Sequence, residues 1–199
     1  MIKIIRRIIL VALLAFLGAL IVLVPSSVNK SEQLKNVEGT TSWTSVIEPA
    51  LSNANLTSKG LSTEVTLNNV QLNQILKSSL TDTSNQKLLD NAYSISNDKL
   101  RVQSPVKIGF IDSKIDLDFD VTAQDNILYA EISSAKIGKF PIPKSIVKNI
   151  LKEQLKQDDS ITVEGDKLLF TLPQSQFTID KVNIENENVK VQFQMSLNF

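Results

Sequence analysis

Between Val189 and Phe199 the chain alternates without a break: Val189, Val191, Phe193, Met195, Leu197 and Phe199 are apolar, and Lys190, Gln192, Gln194, Ser196 and Asn198 between them are polar. A period of two puts all six apolar side chains on one face of a strand. At about 3.3 Å per residue that strand reaches roughly 35 Å, against about 5–6 residues for a typical one. A greasy face of that length cannot stay in water, so the strand must lie in a twisted sheet whose inner face is covered.

The same period predicts strands at Leu61–Leu67, Ala92–Ser96, Leu100–Ile108, Phe110–Val121, Ile127–Ile137, Ile161–Val163, Lys167–Leu172 and Phe177–Ile184, separated by Asn-, Asp- and Gly-rich turns. Two segments switch to helical spacing. Leu72, Ile75, Leu76 and Leu80 follow an Asn68/Asn69 cap, and Ile146, Val147, Ile150, Leu151 and Leu155 follow Pro141-Ile142-Pro143. Trp43, Val46, Ile47 and Leu51 predict a shorter helix or an irregular cover, interrupted at Pro49. The fold class expected is α+β, a long, bent antiparallel sheet packed against two amphipathic helices. Helices of about 12 residues, near 18 Å each, cover only part of such a sheet.

Ile8–Val24 carries no charge over seventeen residues, which as a helix spans roughly 25 Å, just enough for a bilayer core. Lys3, Arg6 and Arg7 precede it and no acidic residue does, so the positive-inside rule places the N-terminus in the cytoplasm. The expectation is a single-pass cell-membrane protein with an extracytoplasmic C-terminal domain: an anchor at 1–25, a stalk and cover segment at 26–60, and an α+β domain at 61–199. The competing reading is a cleaved signal peptide, whose apolar core usually has about 7–15 residues. Val24-Pro25-Ser26 is a poor cleavage pattern, and the run here is longer.

Without Lys3, Arg6 and Arg7 the 21 basic residues fall to 18, against 21 acidic ones, and no basic arm suggests nucleic acid. The chain has no cysteine, which excludes disulfides and thiolate chemistry. It has no histidine either, which removes Ser-His-Asp triads, imidazole bases and the usual zinc, copper and iron ligands. Ser-x-x-Lys occurs at Ser27, Ser84, Ser96, Ser133 and Ser145, a recurrence expected by chance in a chain rich in both residues. Asp116-x-Asp118-x-Asp120 opens like a calcium loop, but Val121 stands where the turn needs glycine and Ile127 where a glutamate belongs. The alternation puts Asp112, Asp116, Asp118 and Asp120 on the water face of a strand. No cofactor or metal site and no enzyme activity is expected.

Several segments resemble the YpmS-like proteins, membrane-anchored proteins of Gram-positive bacteria: TEVTLNNVQLNQILKSSL, NILYAEISSAKIGKFPIPKSIVKNIL and FTIDKVNIENENVKVQFQMSL. The most specific element is Gly138-x-Phe140-Pro141-Ile142-Pro143 before an apolar helix, similar to the family's Gly-x-Leu-Pro-Leu-Pro step. The family implies a membrane-anchored extracytoplasmic domain and brings no established activity. The Leu67–Leu80 and Phe177–Leu197 patterns are also similar to small domains whose bent sheet wraps a helix around a lipid-holding tunnel, which implies a half barrel.

One-sided strands, short helices and a membrane tether together lead to the expectation of a lipid or other apolar envelope ligand between sheet and helices. The lining residues expected are Leu72, Ile75, Leu76, Leu117, Phe119, Ile146, Ile150, Val191, Phe193 and Met195. The same pattern fits a plain hydrophobic core. A second expectation, from another class, is a tethered module that recruits or regulates an envelope protein through an exposed sheet edge or the acidic strip at Asp116, Asp118 and Asp120.

Overall fold

A computed structural model describes residues 27–58, 60–81, 86–108, 111–154, 161–171 and 177–195. The Ile8–Val24 run, and with it the anchor at 1–25, lies outside these residues, as do Leu197 and Phe199. Among the described residues no helix is long and apolar enough to cross a membrane.

The fold is α+β, with eleven strands and three α-helices among the described residues. These are α1 (Trp43–Leu51), β1 (Asn55–Thr57), β2 (Gly60–Leu67), α2 (Asn69–Thr81), β3 (Ala92–Ser96), β4 (Lys99–Ile108), β5 (Ile111–Gln124), β6 (Ile127–Ile137), β7 (Phe140–Pro141), α3 (Lys144–Gln154), β8 (Ile161–Glu164), β9 (Lys167–Thr171), β10 (Phe177–Glu185) and β11 (Asn188–Met195). The strands form two antiparallel sheets instead of the one long sheet expected. The larger has the order β3-β4-β5-β6-β9-β8, with β7 paired to β6, and the smaller has the order β1-β2-β11-β10.

The division follows from side-chain matching. β11 pairs with β2, far back in the chain, because the register sets Val189 against Leu67 and Val191 against Val65, buried side chain on buried side chain. β10 then closes the far side of β11 and packs against β5 of the larger sheet. The Asn126 backbone N–H donates to the Ile179 carbonyl at 3.1 Å, and the Asn126 Oδ1 accepts from the Ile179 N–H at 3.2 Å.

Local chemistry sets the hairpins. Asn97-Asp98, Asp125-Asn126 and Asn186-Glu187 all have both φ angles between 49° and 63°, the left-handed pair of a two-residue hairpin turn. Pro105 is tolerated in β4 because β3 pairs only with Lys99–Gln103, so no neighbouring strand requires its missing N–H. A bulge in β6 at Ser133 shifts the register against β5 between Asp118 and Phe119, and the Ser133 hydroxyl donates to the Asp118 carbonyl at 3.0 Å.

The segment expected as a polar stalk is built into the domain. Two 3-10 turns at Lys30–Glu32 and Leu34–Asn36 bring Leu34 to 0% exposure, and Val28 is buried as well. The Leu34 N–H donates to the Asn91 carbonyl at 2.8 Å, and Gln33 bridges Ala92 at the edge of β3. Further along, Gln74 on α2 holds the segment from three sides: its Nε2 donates to the Glu38 carbonyl, its Oε1 accepts from the Thr41 hydroxyl, and its carbonyl accepts from the Thr41 N–H. Lys77 adds a bond to the Val37 carbonyl.

Candidate functional site

Two apolar clusters fill the interior. The first gathers α1, α2 and the inner face of the smaller sheet, with Ile47, Val65, Leu67, Ile75, Val191 and Phe193 among its buried members. The second lies on the larger sheet beneath α3, with Phe119, Ala130, Ile132, Ala135, Val147 and Leu168. Leu100 and Val121 border both, so the two clusters meet in one apolar seam.

Of the ten residues expected to line a ligand, six are divided between the clusters. Ile75, Val191 and Phe193 are buried in the first and Leu72 packs against it, while Phe119 is buried in the second with Leu117 beside it. Leu76 and Met195 are half-buried outside both sets, and Ile146 is 49% exposed. The side chain of Ile150 lies outside the described residues. Trp43, expected in a short helix or irregular cover, starts α1 and stands edge-on to Phe193 with ring centroids 6.0 Å apart, on the rim of the first cluster and 37% exposed.

Cover is uneven along the seam. α2 seals the first cluster through Ile75, which is 1% exposed. α3 rests on the second cluster through one buried side chain among its described residues, Val147, with Leu151 and the preceding Ile142 only partly buried. Beside it Phe140 is 41% exposed. The Ile142 N–H donates to the Ala135 carbonyl at 2.8 Å, so the entry to α3 is tied to the sheet while its body is lightly held.

Ser113 stands on the same face of β5 as Leu117 and Phe119, two and three pleats away. It is 2% exposed, and its hydroxyl oxygen has no hydrogen-bond partner among the described residues. A buried hydroxyl left unpaired costs about 1–3 kcal/mol.

The opposite face of the larger sheet carries a ladder of ion pairs and hydrogen bonds, most of them across strands. Arg101 donates to Asp118 through Nε at 2.7 Å and Nη2 at 3.3 Å, Gln103 donates to Asp116 at 2.7 Å, and Lys99 pairs with Asp120. Lys114 lies 3.3 Å from Asp116 and Lys107 lies 3.6 Å from Asp112. The strip of acids is therefore neutralised by its own neighbours, and offers no single-sign surface. Burial opposes the charge on Asp118, but hydrogen bonds from Arg101 and Ser134 and the charges of Arg101 and Lys136 outweigh it and hold the carboxyl below its ordinary range. The same pairing raises the Arg101 guanidinium above its ordinary value. Among the described residues no three acidic side chains converge into a metal site.

A cavity of about 830 Å³, open to solvent, lies elsewhere, where the 30–38 segment, the start of α2 and β3 meet. Its walls include Lys30, Glu32, Asn36, Glu38, Asn69, Val70, Asn73, Gln74 and Tyr93. None of the ten expected residues borders it. Sequence periodicity could not have shown this cavity, because three segments far apart in the chain build it and their polar residues follow no shared spacing. Burial raises the Tyr93 phenol above its ordinary value, with a hydrogen bond from Asn91 acting the other way.

No family model, curated protein or solved structure matches this chain.

Proposed function

We propose that this chain is a membrane-anchored, extracytoplasmic, non-enzymatic domain that takes an acyl or similar apolar envelope ligand into the seam beneath α3. The observation that carries the reading is Ser113, whose buried hydroxyl lacks a partner on the face shared by Leu117 and Phe119. Ligand sites of this kind combine apolar walls with a few polar groups that fix orientation. A carboxyl or ester oxygen accepting from Ser113 would satisfy the hydroxyl while its chain lay along the seam. α3, seated by the buried Val147 and the partly buried Leu151 among its described residues, is the lightly held helix over this cluster. The anchor keeps such a domain beside its source of lipid. The alternative of a partner drawn to the acidic strip has less support, because the cations of that sheet face already pair with those acids.

Displacement of a fluorescent naphthylamine probe from residues 26–199 by a long-chain fatty acid tests this. Ser113→Ala removes an unsatisfied hydroxyl, so it should melt at or above the parent, by up to about 1 kcal/mol, while weakening fatty-acid competition. A parent protein that takes up no probe, or a Ser113→Ala variant that competes like the parent, contradicts the proposal.

A further inference from the structure

We infer that the turn between β6 and β7, together with the first turns of α3, is a docking surface for an anionic lipid bilayer. The inference rests on the membrane anchor of the reading above and is independent of any ligand in the seam. From Ile132 to Lys152 the chain carries Lys136, Lys139, Lys144, Lys148 and Lys152 and no acidic residue. On the outer face of the larger sheet Lys99, Arg101, Lys107, Lys114 and Lys167 are each paired with an acid, and the charge of Lys136 acts on Asp118. Lys139, Lys144 and Lys148 form no ion pair among the described residues. The acids of β5 and β6 alternate with inward side chains and stand on that outer face, so the side of the sheet beneath α3 receives no carboxylate from either strand. Lys144 opens α3, where a cation opposes the positive end of the helix dipole, and no acid occupies that turn. The chain keeps positive charge here at a cost to its own helix.

Apolar side chains stand among these cations, Phe140 at 41% and Ile146 at 49% exposure. Lysines beside exposed aromatic and aliphatic groups complement an anionic headgroup layer over hydrocarbon. The place where the chain enters the domain supplies the orientation. The apolar run ends at Val24 and Val28 is already buried, so at most about 14 Å of chain joins anchor to domain. Gln33 bridges Ala92, and cross-strand partners continue in one row through Gln103, Asp116, Lys136 and Pro141. The entry and the β6–β7 turn therefore lie at the same end of the larger sheet, five strand spacings or about 24 Å apart. So short a connection holds this end at the bilayer and turns β7 and the start of α3 toward it. The β4–β5 hairpin reaches past the same row, but its Lys107 pairs with Asp112 and adds no net charge.

The chain has no cysteine, so a single one can carry a fluorophore. The full chain is incorporated into nanodiscs of phosphatidylglycerol or of phosphatidylcholine, each doped with a nitroxide-bearing lipid, with the label on Ser145→Cys at the exposed start of α3 or on Thr66→Cys at an exposed position of the smaller sheet. Quenching of the Ser145→Cys label in phosphatidylglycerol, its loss in phosphatidylcholine and no quenching of the Thr66→Cys label are expected. A lysine close to an anionic surface strengthens attraction about fivefold, so Lys139→Glu with Lys144→Glu should lower the quenched fraction at least about tenfold. That double variant should melt no lower than the parent, since a glutamate in the first turn suits the helix dipole. A Ser145→Cys label quenched equally in both lipids or in neither, a Thr66→Cys label quenched as strongly, or a folded double variant that stays quenched would each overturn the inference. A chain that enters neither nanodisc removes the anchor, and both readings with it; a chain that docks as expected yet takes up no fatty acid fails the seam alone.

Discussion

Asp118 shows how one side chain connects the sheet to pH. Its carboxyl is 14% exposed, paired with Arg101 and bonded to Ser134, and it titrates below its ordinary range. A carboxyl whose pKa is lower in the folded state stabilises the fold fully above its unfolded pKa of about 3.9, and that contribution is lost as pH falls through the folded value. Melting temperature followed downward from pH 5 should therefore drop, and Asp118→Asn should flatten the drop while costing about 1–3 kcal/mol at neutral pH. An unchanged acid limb in the variant would mean that the Arg101–Asp118 pair contributes nothing measurable. Glu187 makes the opposite case: its φ of 59° completes a left-handed pair with Asn186, a conformation that glycine adopts without the Cβ clash. Glu187→Gly should raise stability by about 0.5–1 kcal/mol in a thermal or denaturant melt.

Among the elements, β11 was the most legible in the sequence and the 27–41 segment the least. Strict alternation fixed the inward face of β11, and the structure places it between β2 and β10 with Val189, Val191 and Phe193 buried. Phe193→Asp should unfold the domain, since it buries an unpaired charge, while Gln192→Asp on the other face should be tolerated; circular dichroism melts of both variants decide it. The hairpins were legible for a similar reason, because two-residue Asn and Asp turns leave local marks. Composition misread the 27–41 segment: its backbone carbonyls at Val37 and Glu38 accept from Lys77 and Gln74 of α2, and its one fully buried anchor, Leu34, has no periodic partner to reveal it. Leu34→Ala should cost about 2–5 kcal/mol and speed hydrogen exchange in α2 and β3, which a disposable stalk would not do. The acidic strip is legible on the outer face of β5, but apart from Lys114 its cations Lys99, Arg101 and Lys107 come from β4, whose register the sequence does not state.

At the scale of the whole molecule, the division into two sheets creates the candidate site. A single sheet covered by two helices would have one core. Here the bulge at Ser133 and the docking of Ile179 on Asn126 set two sheets at a joint, and the apolar seam runs through it past Leu100 and Val121. Six of the ten residues expected from periodicity are accordingly divided between two clusters, because periodicity reports the buried face of each element and not which elements share a cluster. Ser113 could be seen in the sequence as an inward position on β5, but its lack of a partner only emerges once the sheet is assembled. The central claim is that the seam beneath α3 takes an apolar ligand from the envelope. Native mass spectrometry of residues 26–199, purified from cells without added lipid, tests it most directly. A protein carrying an added mass that matches an acyl-bearing molecule, depleted in the Ser113→Ala variant, is the predicted result; a parent protein that flies only as the bare polypeptide contradicts the claim.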